Sequence, residues 1–269
     1  MTDYDSQIYR LHAGSGPFVA TAVHHGHDIR PDLLRFIGLP QADRLREEDP
    51  FTGVWTTVAP TRVVATQSRF QVDLNRPRET CIYLKPEDCW GLELYAQEPP
   101  HQELERSLVE YDNFYRGMHD LLTDITREHK CVVVYDLHSY NHRRQGPDGP
   151  AADESMNPQV NVGTGTMDRQ RWGSVVDAFI DSLRAYDFPG GQLDVRENIK
   201  FKGRGFPRFV HRQFPRAGCA MAVEFKKLFM DEWTGRVDED AHRAIRAALQ
   251  STVPGLLSEL AKLGATSLS

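Results

Sequence analysis

The feature that most constrains the fold is a long amphipathic segment that runs directly into a short, continuously apolar one. From about residue 102 to residue 127, leucines, tyrosines and Met118 recur at steps of three and four, which predicts a helix with one buried face. The run 131–137, CVVVYDL, follows at once and predicts a central strand. A helix that leads into a strand buried on both faces is typical of an α/β fold.

Other segments fit the same plan. The polar stretch from residue 140 to about 165 is rich in Gly, Pro and Asn, and we expect it to border a functional site. Because the chain has no repeat and no linker-like composition, we expect one α/β domain over residues 1–269, with a mixed sheet flanked by helices. Further predicted elements are strands at 18–23, 62–66, 70–74 and 220–225, a helix at 168–185, and a helical hairpin of 238–249 and 255–263 that breaks at Pro254.

Composition excludes several classes of function. The chain carries 32 basic and 38 acidic side chains, and a net charge of -6 provides no general attraction for nucleic acid or anionic lipid. Neither an apolar stretch of about 18 residues nor a signal-peptide pattern is found in the sequence. The four cysteines lack metal-ligand spacing and are predicted to be buried thiols. We therefore expect a cytoplasmic protein with neither nucleic acid nor a membrane as its partner; the oligomeric state does not follow from the sequence.

Histidines and carboxylates follow or end the predicted strands, which is where ligands bind in α/β sheets. The segment 24–28, HHGHD, comes directly after strand 18–23. Asp136 and His138 end the central strand and, being two residues apart, point to the same face. Imidazole nitrogen with carboxylate oxygen is a donor set that zinc accepts, and Asp136 could orient the His138 ring. The sequence therefore predicts a divalent-metal site, with solvated loop histidines as the alternative.

Two further polar groups suggest catalysis and anion binding. Glu224 lies inside an apolar predicted strand, where burial would raise the pKa of its carboxyl group and suit it to acid–base catalysis. A salt bridge to Lys226 or to a neighbouring arginine is an equal alternative. Arg76 follows Asn75, is kept extended by Pro77, and offers a planar fork for a carboxylate, or else lies in a solvated turn. Together these groups suit a metal-assisted hydrolase whose substrate carries a carboxylate.

The order of these motifs resembles the N-formylglutamate amidohydrolase family, which is related to zinc carboxypeptidases and aspartoacylases. The resemblance covers about residues 16–235 and implies a phosphorylase/hydrolase-like, zinc carboxypeptidase-like α/β fold with amidohydrolase activity in amino-acid metabolism. The motifs are His24-x-Gly26, Arg46-Glu-Glu-Asp49, Ser68-Arg-Phe70, Asp73-Leu-Asn-Arg76, Asp136-Leu-His-Ser139, Phe201-Lys-Gly203, and Val223-Glu224 with Met230-Asp-Glu232.

The resemblance implies a metal site. One zinc ion, or another divalent metal, would be bound by His24 and His138, with Asp49 as the acidic third ligand. In the related carboxypeptidases and aspartoacylases, a carboxylate follows the ligand histidine by three residues. His25 with Asp28 fits that spacing and is the alternative pair.

The resemblance also implies catalytic and substrate-binding roles. Glu224 would be the general base that takes a proton from the attacking water and returns it to the leaving amine. Arg69 would either stabilise the oxyanion or support the metal ligands. Asn75 and Arg76 would bind the substrate carboxylate, with Arg208 as a further candidate.

The implied substrate is an N-acyl amino acid with a free carboxylate. Val23 and His25 stand where family members carry a proline and a small residue, which favours N-acyl amino acids in general over N-formylglutamate alone. Two alternatives are a carboxypeptidase-like peptidase or amidase with a larger substrate and residues 140–165 as a lid, and a catalytically silent carboxylate-binding protein of the same fold.

Overall fold

The computed structural model describes residues 4–5 and 8–264, and its centre is a mixed sheet flanked by helices. The predicted fold class is therefore confirmed. The strands are β1 (Tyr4–Asp5), β2 (Tyr9–His12), β3 (Phe18–Ala22), β4 (Thr61–Ala65), β5 (Val132–Tyr140), β6 (Val160–Gly163), β7 (Val195–Glu197) and β8 (Gly218–Lys226). The helices are α1 (Pro31–Leu34), α2 (Gln41–Glu47), α3 (Thr52–Trp55), α4 (His101–His129), α5 (Arg169–Ala185), α6 (Phe206–Gln213) and α7 (Glu239–Lys262), and short 3-10 turns lie at Thr56–Val58, Arg78–Thr80 and Pro86–Asp88.

The strands are ordered β1-β2-β4-β3-β5-β8-β6-β7 across the sheet. The four central strands, β4, β3, β5 and β8, are parallel. On either side of them, β2 pairs antiparallel with β4, and β6 pairs antiparallel with β8. Parallel strands have their carboxyl ends at the same edge of the sheet, where ligands bind in α/β proteins. The residues that end or follow β3, β5 and β8 therefore meet at one edge.

Each face of the sheet is covered by its own apolar core. Alternate residues of β5 point to opposite faces, so Tyr135 joins the core beneath α5 and α7, while Val134 joins the core beneath α4 and α6. A smaller cluster, which includes Phe70 and Tyr83, is formed mainly by the connection between β4 and α4. This connection supplies several polar side chains of the candidate site.

Two predicted elements are wrong. Residues 70–74 form a turn rather than a strand, because their alternating apolar residues serve two different clusters: Phe70 packs in the small cluster, and Val72 packs beneath α4. Helix α7 is continuous rather than a hairpin. Leu249 and Leu256, on either side of Pro254, are buried in the same core as α5, and this packing outweighs the hydrogen bond that proline removes.

Three further sequence predictions concern the cysteines, membrane helices and the polar stretch after β5. All four cysteines are buried and unpaired, as the sequence predicted. Within residues 4–5 and 8–264, every helix is too short or too polar to cross a membrane. The polar stretch after β5 is shorter than predicted, because β6 begins at Val160.

Candidate active site

Two histidines and an aspartate meet at the carboxyl edge of the sheet. His24 follows β3, His138 lies in β5, and Asp49 follows α2. One ligand atom of each residue lies within 4.8 Å of the other two. Asp49 Oδ2 is 3.0 Å from His138 Nδ1 and 3.5 Å from His24 Nδ1. All three residues are at most 3% exposed, so this His–Asp–His cluster is shielded from bulk water.

The other nitrogen of each imidazole ring faces a second carboxylate. His24 Nε2 lies 2.7 Å from Asp73 Oδ1, and His138 Nε2 lies 2.9 Å from Asp136 Oδ2. A carboxylate only accepts hydrogen bonds, so each Nε2 atom is placed to donate to its aspartate. In the neutral ring with Nε2 protonated, the Nδ1 atom that faces Asp49 carries the lone pair that a metal ion would bind. Carboxylates orient metal-ligating histidines in this way. Thr21 on β3 donates to the second oxygen of Asp136 and fixes it in turn.

The cluster has the electrostatics of a cation site. Burial alone lowers the pKa of His138, but the carboxylates of Asp136 and Glu224 outweigh it and raise that pKa well above its ordinary value. Burial alone raises the pKa of Asp49, but hydrogen bonds from the two histidines hold it well below its ordinary value. The carboxylates around the cluster therefore favour a positive charge within it, whether that of a protonated imidazole or that of a cation.

The donor set also fits zinc. Two imidazole nitrogens and one carboxylate oxygen form a typical three-residue ligand set for a catalytic zinc site. Bonds of about 2.0–2.2 Å in a tetrahedron place neighbouring ligand atoms roughly 3.3–3.6 Å apart. The two contacts of Asp49, at 3.0 and 3.5 Å, are close to that spacing.

The three consecutive acidic residues after Arg46 have three different partners. Glu47 accepts a bidentate contact from Arg144 at 3.0 and 2.9 Å. Glu48 accepts from Ser68 and lies 2.7 Å from His27 Nδ1. This leaves Asp49 to face the His–Asp–His cluster, with its backbone N–H donating to the His24 carbonyl oxygen at 3.0 Å.

Glu224 lies beside His138 in the sheet, because the parallel register of β5 and β8 pairs the two residues. It is 8% exposed and lines the cavity above the cluster. Burial raises the pKa of Glu224 to about 7, with Asp49 and Asp136 adding to the rise and His138 opposing it. Burial lowers the pKa of Lys226, the alternative salt-bridge partner, and the carboxylates that oppose this shift are those of Glu154 and Asp194 rather than that of Glu224.

Two arginines on the same connection differ in how many donors they have free. Arg69 is held by three partners: its Nε donates to Tyr83 at 3.0 Å, its NH2 to Asp73 at 2.8 Å and its NH1 to the Glu47 carbonyl at 3.2 Å. Arg76 stacks on the Tyr83 ring at 4.5 Å, and its Nε is 3.6 Å from Asp73. Its side chain is 31% exposed and lines the cavity, so its guanidinium retains donors for a ligand.

Asn75 also lines the cavity, and its placement depends on a glycine. Its Oδ1 accepts from the Phe206 N–H at 2.7 Å, and its Nδ2 is 3.4 Å from His138 Nε2. A Cβ atom at Gly205 would lie 1.9 Å from Asn75 Oδ1, so a side chain there would displace the amide. Arg208, on α6, is half-buried and lies outside the cavity lining.

The alternative ligand pair is not brought to the cluster. His25 accepts from the Gly53 N–H at 3.3 Å and lines a separate cavity of about 600 Å³ with Arg10 and Arg62. Asp28 is exposed, and its backbone bridges to Gln67. Of the histidine and acid candidates from the sequence, the structure brings together His24, Asp49 and His138.

The cluster opens into a cavity of about 270 Å³. Trp90 and Arg144, from two loops, form part of its wall, with the Arg144 guanidinium 5.8 Å from the Trp90 ring. Sequence reasoning missed both residues, because each lies in a loop without a periodic pattern. It also missed the contact of Asp73 with His24, although an aspartate between Val72 and Leu74 is costly to bury without partners.

Comparisons with known proteins identify the family and the fold. The profile of the N-formylglutamate amidohydrolase family matches residues 16–244. The structure of N-formylglutamate amidohydrolase from Ralstonia eutropha JMP134 aligns with a TM-score of 0.73 and 17% identity, covering 96% of this chain and 99% of that one. A gene product from Agrobacterium tumefaciens aligns with a TM-score of 0.69 and 16% identity, covering 95% and 97%. A search of curated proteins finds no match. At these identities the two structures show a shared fold.

Proposed function

This chain belongs to the N-formylglutamate amidohydrolase family, and from that premise we propose that it is a zinc-dependent amidohydrolase. Its proposed reaction is hydrolysis of the amide bond of an N-acyl amino acid such as N-formylglutamate. The observation that carries the proposal is the convergence of two imidazole Nδ1 atoms and the Asp49 carboxylate in a cavity that Glu224 and Arg76 also line.

The His–Asp–His cluster is the proposed zinc site. His24, Asp49 and His138 would hold the ion, while Asp73 and Asp136 keep both rings in the tautomer that binds metal. When bound, zinc supplies Lewis-acid chemistry, lowering the pKa of water and polarising a carbonyl oxygen. Another divalent metal with the same preference for nitrogen and oxygen would serve.

Glu224 is the proposed general base. As a carboxylate it accepts a proton from the attacking water, and as the resulting acid it donates that proton to the nitrogen of the leaving amine. A pKa raised to about 7 by burial lets one group do both near neutral pH. The backbone ladder between β5 and β8 fixes Glu224 beside His138, so the base does not depend on a flexible loop.

Arg76 and Asn75 are the proposed binding groups for the substrate carboxylate. Arg76 is the arginine of the pair that keeps free donors, whereas those of Arg69 are engaged with Asp73, Tyr83 and a carbonyl. We assign Arg69 to holding Asp73, and through it His24, in place. Arg208 is not proposed to bind the carboxylate, because it lies outside the cavity lining.

The size of the cavity supports a small substrate. A volume of about 270 Å³ lies just below the about 300–1,000 Å³ of typical ligand pockets, which suits an acylated amino acid better than a peptide. The amide nitrogen of such a substrate would become the leaving amine, and its carboxylate would pair with Arg76. The same volume suits a short acyl group.

The experiment is metal analysis of the purified protein together with a hydrolysis screen of N-formyl, N-acetyl and N-succinyl amino acids. We expect one metal ion per chain, turnover of at least one of these classes, and loss of both in His138→Ala. His119→Ala is the matched control, because His119 lies half-exposed on α4. Absence of stoichiometric metal and of turnover after supply of Zn²⁺ would refute the proposal. Turnover of peptides alone would favour the peptidase alternative.

A further inference from the structure

Lys227 is a buried cation that the proposed reaction leaves without a role. It follows β8, three residues after Glu224, and its backbone N–H donates to the Tyr140 carbonyl at 3.0 Å. The side chain turns inward, is 1% exposed and lines the same cavity as the His–Asp–His cluster. Burial of an ammonium group is costly, so its position calls for a specific interaction.

The hydrogen-bond partners of Lys227 are backbone carbonyls, while the carboxylates of Asp49, Glu47 and Glu232 act on its ammonium through charge alone. Its Nζ lies 2.5 Å from the Arg46 carbonyl oxygen and 2.9 Å from that of Glu48. Both carbonyls are at the C-terminal end of α2, where the last turn of a helix has no intrahelical donors for its oxygens. Lys227 therefore caps α2 from a distant strand and complements the negative end of the helix dipole.

The capped segment is the one that carries Asp49. After α2 ends, Glu48 is extended, and Asp49 follows with its N–H bonded to the His24 carbonyl. Thr52 Oγ1 donates to the Asp49 carbonyl at 2.7 Å. Contacts with His24 and Thr52 thus hold the backbone of Asp49, and the Lys227 cap holds the helix end that precedes it. Together these contacts set the direction of the Asp49 carboxylate.

We propose that Lys227 is a positioning residue for metal binding: by capping the end of α2 it holds Asp49 against the two histidines. This inference rests on the proposed metal site and adds a residue to it. One strand end then supplies both the base, Glu224, and the group that orients a metal ligand. Charge alone would act in the opposite direction, because a fixed ammonium near Asp49 opposes the binding of a cation.

The test measures the dissociation constant for Zn²⁺ by chelator competition in Lys227→Met, Lys227→Gln and the wild type. Met fills the space without any donor, and Gln keeps two N–H donors without the charge. If the cap positions Asp49, the Met variant binds Zn²⁺ about 10- to 100-fold more weakly, as loss of a group that orients a ligand typically does, and the Gln variant stays within about 10-fold of the wild type. The matched control is Lys226→Met, whose side chain lies half-buried on the same strand, and its affinity should not change.

A second readout separates positioning from general destabilisation. The visible spectrum of the Co²⁺-substituted protein reports ligand geometry, and we expect it to change in Lys227→Met and not in Lys226→Met. Tighter or unchanged Zn²⁺ binding in both Lys227 variants would overturn the inference. If Lys227→Met does not fold, Lys227→Leu, which also lacks a donor, takes its place: weaker Zn²⁺ binding than in Lys227→Gln and Lys226→Met would support the inference, and wild-type affinity would overturn it. A wild-type protein that binds no metal would overturn the proposed function as well.

Discussion

Replacement of Asp73 by Asn tests how the candidate site is held together. Asp73 is fully buried and accepts four hydrogen bonds, two on each oxygen. Oδ1 receives His24 Nε2 at 2.7 Å and the Asn75 N–H at 2.8 Å. Oδ2 receives Arg69 NH2 at 2.8 Å and the Tyr83 hydroxyl. An asparagine has one acceptor oxygen, so its NH2 group must face one of these pairs of donors.

The magnitude follows from the charge that is left behind. Burial alone would raise the pKa of Asp73, yet Arg69 and His24 hold that pKa well below its ordinary value. The Asp73 carboxylate is therefore the negative charge that balances these buried basic side chains. Removing one partner of a buried ion pair costs about 3–5 kcal/mol. At about 2–4 °C per kcal/mol for a chain of this size, we expect the Tm of the metal-free protein to fall by roughly 6–20 °C.

The assay is thermal unfolding of the metal-free protein by circular dichroism, with Asp112→Asn as the control. Asp112 also makes a two-point contact with an arginine, Arg78, at 2.8 and 2.9 Å, but both side chains are more than a third exposed. Exposed pairs contribute about 1 kcal/mol or less, so the control should shift Tm by at most about 4 °C. Equal shifts in Asp73→Asn and Asp112→Asn would refute the argument from burial.

Three further predictions concern catalysis, substrate binding and stability. Glu224→Gln should retain metal while turnover falls by about 10²–10⁴-fold, and near-normal turnover would contradict its role as base. Arg76→Ala removes a charge-assisted contact of about 1.5–3 kcal/mol, so KM for carboxylate substrates should rise roughly 10- to 150-fold with little change in kcat; an unchanged KM would exclude the contact. Gly205→Ala should lower Tm because its Cβ would overlap Asn75, whereas Gly255→Ala, in α7 with its nearest neighbouring atom at 3.5 Å, should raise the free energy of unfolding by about 0.5–1 kcal/mol. The reverse order of stability would show that the close approach at Gly205 is unimportant.

The part of the candidate site that lies on strands could be predicted from the sequence. Asp136, His138 and Glu224 are polar residues in continuously apolar runs, and parallel strands bring their ends together whatever the loops do. His24 follows from the same rule, since it comes after β3. These positions depend on local pattern and on sheet topology alone.

The part that lies on loops could not be predicted in the same way. Arg144 stands in a run of charged and polar residues that is normally solvated, and its partner Glu47 is 97 positions away. Arg208 looked equally suitable from its local sequence, yet its helix carries it outside the cavity lining. Among several arginines, only long-range contacts decide which one reaches the cavity.

The parallel pairing of His138 with Glu224 has a consequence for how enzymes on this scaffold can be altered. The distance between these two residues is set by backbone hydrogen bonds between β5 and β8, whereas the cavity wall beside them comes from the loops that carry Trp90 and Arg144. Under the proposed function, the spacing between the base and one metal ligand is therefore fixed by the sheet. Substitution of Trp90 or Arg144 should change which substrates are accepted while that spacing is kept.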